Sequence, residues 1–471
     1  MLKHSSKSGR QKKSKGGKPA SVKSHLPQAK SPFVDQLCKR VSPQELEQIG
    51  RSRKHNAGRP LHILCSGELL IALLFHFSRP LGTLAENLHL LLGLKMAESS
   101  LSQRRRALPA EVFEELLKRI LKPVGLESKH PSAFYKGLRL VGIDGVTFSL
   151  PNNEETRAKC KKGKNQHGSS GFFKLNAVVL MELVMHNPLA VVVGLKNESE
   201  WALAKQLVSQ ISKNCLLICD RLYGCGAFIW LALERWKKVG GGCLLRVKGS
   251  IMAREVIQKL EDGSKIIEVA ALEPGDTHKE LGRMRVREIR GTVCRRGYPA
   301  QSIRLWTNLL DAKAYPAKEL IALYAQRWEQ ETAYRDIKYE LGINDLLKSQ
   351  TIETAAQEVA GMFIISSLIA EERAALKTGK LPVTRISMLK TMDLMRPLWL
   401  SLALCGDLLS EKQKQEMIER FRQEISTRRM AKKRQRSCPR VMRQPIQPWR
   451  RRRNQKDVVG PLVFRVDKAK S

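Results

Sequence analysis

Tyr324, Arg327, Glu331 and Lys338 supply a hydroxyl, two cations and a carboxylate at spacings that can share one helix face. At 100° per residue, with Tyr324 at 0°, Arg327 falls at about 300°, Glu331 at about 340° and Lys338 at about 320°, so all four share roughly a 60° arc of one helix. Leu323, Tyr334, Ile337 and Leu341 fill the neighbouring arc, which sets the polar stripe beside a buried one. A solvated face could carry the same four residues but would have no reason to abut the core. Two more acids follow apolar runs: Asp144 after 138–143 and Asp220 after 215–219. Three converging carboxylates make an oxygen-rich pocket suited to one or two Mg²⁺ or Mn²⁺ ions. Ions about 4 Å apart stabilise the attacking and leaving oxygens of a phosphodiester displacement. Taken singly, an Asp at a strand end is a weak sign, because Asp-Gly is first of all a turn.

The elements that must position these residues follow from periodicity. Pro316 suits a first helical turn and Gly342 a stop, so one helix is predicted over 316–341. Strands are expected at 138–143, as a hairpin over 174–195 broken at Asn187-Pro188, at 215–219 and at 243–247, with helices at 200–211 and 227–237. This order describes an α/β fold with a mixed sheet and flanking helices. From 246 to 311 the pattern is short strands and turns, with Arg283, Arg285 and Arg287 on one strand face, suited either to phosphates or to blocking an edge. Between 33 and 126 the spacing is helical, and Thr83-x-x-Glu86 and Ser100-x-x-Gln103 resemble capping boxes on either side of Gly93. A helix-turn-helix would carry Gln103, Arg104, Arg105 and Arg106 in the first turns of its second helix, against DNA. An ordinary helical hairpin with a basic face has the same pattern.

Charge narrows the partner. The chain has 471 residues, 84 Lys and Arg against 45 Asp and Glu, and 42% apolar residues, enough for a folded body. Nine basic residues in the first 30 positions and thirteen between 425 and 456 stand without an acid among them, yet +17 of the +39 lies elsewhere. A polyanion is the natural partner. The stretch from Arg428 to Arg453, with Trp449, is expected to bind DNA chiefly by neutralising phosphates. No apolar run approaches the roughly 18 residues of a membrane span, so no membrane partner is expected. Ten scattered cysteines without a Cys-x-x-Cys pair fit reduced thiols and a cytoplasmic address.

The spacing Tyr-x2-Arg-x3-Glu-x6-Lys, here Tyr324, Arg327, Glu331 and Lys338, resembles the DDE transposases of bacterial insertion sequences, in particular the insertion-sequence-four group. The segments 141–145, 216–221, 244–248 and 306–311 resemble that family too. The resemblance implies a ribonuclease H-like mixed sheet interrupted by a mostly β insertion, with a helical N-terminal DNA-binding region. It implies Asp144, Asp220 and Glu331 as catalytic metal ligands for two ions of Mg²⁺ or Mn²⁺. Tyr324, Arg327, Lys338, Arg246, Arg104 and Arg105 are expected on double-stranded DNA. The expected chemistry is cut-and-paste transposition: 3′-end cleavage, a hairpin intermediate and strand transfer, by a homodimer on DNA associated with the nucleoid. Some relatives place a base-stacking Trp four or five residues before the position of Thr307, where this chain has Ser302 and Ile303, and Trp306 stands nearby. A ribonuclease H-like nuclease or resolvase, or a non-catalytic DNA-binding relative, would share much of this pattern. The expected organisation is 1–33 a disordered basic arm, 34–130 the helical DNA-binding domain, 131–245 the first part of the core and 246–311 the β insertion. After these come 312–350 the helix with the catalytic Glu, 351–424 a helical region and 425–471 a basic tail.

Overall fold

A two-residue alternation builds the centre of the protein. The structure is a computed structural model that describes residues 31–51, 64–78, 82–160, 162–165, 168–196, 198–249, 251, 253–273, 276–295, 298–340, 346–376 and 382–430. Strand β1 (Leu138–Leu150) sends Val141 and Ile143 to one face and Val146, Phe148 and Leu150 to the other. It pairs antiparallel with β2 (Gly168–Glu182), which turns back through His186, at φ 54°, into antiparallel β3 (Asn187–Val193). On its other side β1 pairs parallel with β4 (Cys215–Cys219), and β4 pairs parallel with β5 (Gly241–Arg246). The order β3-β2-β1-β4-β5, with only β2 reversed against its neighbours, is the ribonuclease H-like arrangement that the resemblance implies.

Parallel neighbours need crossovers, which helices supply. Helix α1 (Glu200–Val208), capped by the Ser199 side chain, joins β3 to β4, and α2 (Gly226–Val239) joins β4 to β5. Leu203, Leu207, Phe228 and Ile229 of these helices pack on the Val141 and Ile143 face. The opposite face is covered by helices from both ends of the chain. Phe33, Phe75, Leu88 and Phe113 share one core with Phe363 of α4 (Ile352–Ala375), Trp399 and the Phe148 face of β1. The two helical regions expected at 34–130 and 351–424 thus share a core. Gly361 in α4 lies so close to Phe77 that a Cβ would meet its ring at 2.1 Å. Helix α4 is long and apolar enough to cross a membrane, but 94% of its most apolar window is buried inside the protein.

The insertion comprises β6 (Glu255–Lys259), β7 (Lys265–Glu273), β8 (Asp276–Arg295) and β9 (Tyr298–Thr307). Strand β9 pairs antiparallel with β5, so the insertion extends the core sheet, which among the described residues has eleven strands counting the short Phe134–Tyr135 and Lys162–Asn165. The main body spans residues up to 291 and 302–432. Among the described residues, the strand ends 292–295 and 298–301 belong to a second, small unit.

Several local expectations differ from the structure, each for a physical reason. Helix Pro32–Cys38 starts inside the expected basic arm, because Phe33 has a fully buried site against Phe75 and Trp399; residues 1–30 lie outside the described residues. Thr83 and Glu86 form the expected capping box and Gly93 ends that helix at φ 71°. Ser100, however, caps nothing: the next helix begins at Glu98, and Arg104, Arg105 and Arg106 sit in its last turn. The predicted helix over 316–341 is divided into Ala317–Tyr324, a tighter turn Ala325–Arg327, and α3 (Trp328–Glu340). Asp144 lies within β1 and not at its end, since the buried alternation continues to Leu150.

Candidate active site

Helix α3 lies across β1 and its neighbour β2 and is fixed to them by three side chains one turn apart. Gln330 Nε2 donates to the carbonyl of Val179 at 3.0 Å, Tyr334 Oη to that of Asp144 at 2.7 Å and Lys338 Nζ to that of Thr147 at 2.8 Å. Gly142 makes room for this docking, because a Cβ there would fall 2.3 Å from Gln330 Oε1. Two residues before Glu331, Glu329 meets Nε2 of buried His186 at 3.0 Å, which ties the start of α3 to the β2–β3 turn. The helix carrying Glu331 is thereby held beside the strand carrying Asp144. Asp220 follows β4 directly, and its Oδ1 accepts the Leu222 N–H at 2.8 Å.

The carboxylates crowd one another. Burial first, and then the charges of Glu200 and Asp220, push the Asp144 carboxyl up to about 7, with Arg327 pulling the other way. A single N–H, that of Gly145, faces both Asp144 Oδ1 at 3.0 Å and Glu200 Oε1 at 3.1 Å. Two carboxylates at one donor are favourable only when a proton or a cation relieves their repulsion. The donor set is all hard oxygen, which fits Mg²⁺ or Mn²⁺ in kind. No three acidic, His or Cys side chains among the described residues lie close enough together to hold one ion. Glu331 instead points its Oε1 at Arg327 Nη1, 2.9 Å away, so closing the triad would take a rotation of an exposed side chain.

The expected cations sit on the elements that carry or adjoin these acids. Arg327 is largely buried, and its Nε lacks a hydrogen-bond partner. Tyr324 is buried within a core cluster with Leu320 and Leu305; burial pushes its hydroxyl up to about 12, against the charges of Arg327 and Arg246. Arg246, at the end of β5, thus faces the same corner. Lys338 spans from the Thr147 carbonyl to the Phe148 ring, 5.4 Å away.

Other expected contacts turn inward. Arg105 donates to Ser349 Oγ at 2.7 Å, to the Thr354 carbonyl at 3.0 Å and to Gln357 Oε1 at 3.3 Å, over the Phe77 ring. Its guanidinium joins the helical layer to α4, and Arg104 reaches the Leu64 carbonyl at 3.4 Å. Of the three strand arginines, Arg283 and Arg285 are exposed but Arg287 is fully buried, paired with Asp262 and donating to the Tyr315 carbonyl at 2.7 Å. Trp306 is fully buried with its Nε1 on Glu288 at 3.1 Å, so it offers no face to a base. The tail from 431 onward lies outside the described residues.

Two residues at the site carry no mark in the spacing argument. Trp328, between Arg327 and Glu331, is 56% exposed, with the Arg327 guanidinium 4.7 Å from its ring centroid. Its place inside the signature is the signal that could have found it. Glu200 has no such signal, since it meets Asp144 only through the fold.

Residues 135–368 match the family described as transposase DDE domain. The chain is 27% identical over 284 residues to the transposase InsG for insertion sequence element IS4 of Escherichia coli (strain K12), across 58% of this chain and 60% of that protein. A cryo-EM structure of a piggyBac transposase synaptic complex with hairpin DNA superposes with a TM-score of 0.41 at 10% identity, over 83% of each chain. With the matched segment running from just before β1 into α4, residues 135–368 are a DDE transposase domain, similar to that of the insertion-sequence-four group.

Proposed function

We propose that this protein is a metal-dependent transposase that cuts and joins DNA at the ends of an insertion sequence. The docking of α3 on β1, through Tyr334 on the Asp144 carbonyl and Lys338 on that of Thr147, supports the reading, because it holds the helix that carries Glu331 against the strand that carries Asp144. Asp144, Asp220 and Glu331 would hold the ions, with Glu331 leaving Arg327 to do so. Bound Mg²⁺ or Mn²⁺ would activate the attacking hydroxyl and neutralise charge on the scissile phosphate. Arg327, released from Glu331, would then offer its guanidinium to a non-bridging oxygen, while Lys338, further along α3 at the Thr147 carbonyl, would meet a more distant phosphate. Trp328 offers an exposed ring for stacking on a base opened at the element end, a contact worth about 1–3 kcal/mol. In this scheme water first frees a 3′-hydroxyl, and that hydroxyl then attacks the opposite strand or the target. The DNA is double-stranded, and the protein acts as a homodimer once both ends are held.

The test compares wild type with Asp220→Asn, Glu331→Gln, Arg327→Ala and Lys338→Ala on end-bearing DNA, scoring binding, nicking and joining separately. The carboxylate variants should bind but not nick. The cation variants should lose about 10²-fold in nicking, the scale of a 1 Å misplacement of the phosphate, with little change in affinity. Nicking that survives in Asp220→Asn, or parallel loss of binding and joining in the cation variants, would refute the assignment.

A further inference from the structure

We infer that Glu200 is a positioning residue of this site, holding Asp144 at a fixed distance from the Asp220 turn; the inference rests on the metal-site reading above. Glu200 opens α1, and its Oε1 accepts two hydrogen bonds, from the Gly145 N–H at 3.1 Å and from the Tyr223 hydroxyl at 2.6 Å. Gly145 directly follows Asp144 and Tyr223 lies three residues past Asp220. One carboxylate oxygen therefore ties β1 to the turn that leaves β4. Two hydrogen bonds converging on one oxygen leave little play between the two segments.

The surroundings are shaped for this contact. A Cβ on residue 145 would lie 2.3 Å from Glu200 Cδ, so only glycine lets the carboxylate reach the backbone there. The Asp-Gly pair, which reads as a turn, is in the structure a strand position emptied for Glu200. Tyr223 is fully buried with its ring 5.0 Å from that of Phe228 on α2, so the core sets where its hydroxyl points. A buried hydroxyl needs a partner, and Glu200 is the one it has in the structure. Groups that orient metal-binding side chains from behind typically change metal affinity 10- to 100-fold when removed.

The experiment uses the full chain with Glu200→Ala, Glu200→Gln and Tyr223→Phe, and Asp220→Asn as control. Mn²⁺ binding is measured by electron paramagnetic resonance without DNA, nicking is followed across a Mg²⁺ titration, and DNA affinity is measured in EDTA. Glu200→Ala should weaken Mn²⁺ about 10-fold and slow nicking about 10²-fold with metal-free DNA affinity unchanged. Glu200→Gln keeps an oxygen acceptor and should restore both to within about 3-fold, as expected of an orienting contact. Tyr223→Phe should shift the Mg²⁺ dependence in the direction of Glu200→Ala. If Glu200→Gln is as damaging as Glu200→Ala, the charge itself acts and the positioning role is wrong. Wild-type metal binding in Glu200→Ala overturns it as well, and if that variant does not fold, an unshifted Mg²⁺ curve for Tyr223→Phe does so. Retained Mn²⁺ binding in Asp220→Asn would instead overturn the metal site on which the inference rests.

Discussion

Removing the charge at position 144 should make the metal-free protein more stable while abolishing its chemistry. The Asp144 carboxyl stands at about 7 in the fold against 3.8 for an ordinary aspartate. At 1.36 kcal/mol per unit, this difference sets a ceiling of about 4 kcal/mol on the cost of ionising it in place. Side-chain relaxation and solvent screening reduce the expected effect to about 1–2 kcal/mol. The sign follows from proton uptake. Between about pH 4 and pH 7 the folded protein binds a proton at Asp144 that the unfolded chain has released, so stability falls as pH rises through that window and stays low above it. Asp144→Asn keeps an oxygen for the Gly145 N–H and carries no charge. In EDTA the variant should match wild type near pH 4 and gain progressively up to pH 7, ending about 1–2 °C higher in Tm. Added Mg²⁺ should raise the Tm of wild type and leave the variant unmoved, because an ion that binds only the folded state stabilises it by mass action. Thermal unfolding followed by circular dichroism across pH, with EDTA or Mg²⁺, makes both comparisons. An Asn variant less stable than wild type above pH 7 in EDTA, or a difference independent of pH, would refute the crowding argument.

Arg105→Ala should destabilise the protein by about 3 kcal/mol in urea unfolding, because Ser349, Gln357 and the Thr354 carbonyl lose a buried charged partner. Arg105→Lys should recover little, since an ammonium cannot serve three acceptors in a fork; a stable Arg105→Ala with impaired DNA binding would restore the DNA-contact role. Arg287→Ala strands Asp262 and the Tyr315 carbonyl, and should cost about 3–5 kcal/mol by the same measurement. Truncation after Met430 keeps buried Ile425 and the bonds from Met430 to Arg385, and should flatten the salt dependence of DNA affinity by about 0.9 in log–log slope for each phosphate that the tail neutralises. An unchanged slope would show that the tail neutralises none.

What the sequence shows and what it hides divide along the range of the interactions involved. Cys215–Cys219 is legible to the residue, because a short apolar run ending at Asp220 suits a strand buried on both faces. The arc shared by Tyr324, Arg327, Glu331 and Lys338 is also a local property, and it survives the tight turn at Ala325–Arg327 well enough for Arg327 to reach Glu331. Charge patterns mislead where burial decides. Arg105 and Arg287 look like phosphate ligands in a chain of +39, yet each has found internal acceptors contributed by residues up to 252 positions away. The same holds for Asp144-Gly145. A glycine after an aspartate signals a turn when only its neighbours are considered, and the competing explanation, a carboxylate 55 positions later that needs the space, exists only once α1 has crossed over the sheet. Candidate acids can therefore be nominated from the sequence, whereas the Glu200 contact that ties their segments together becomes visible only in the folded chain.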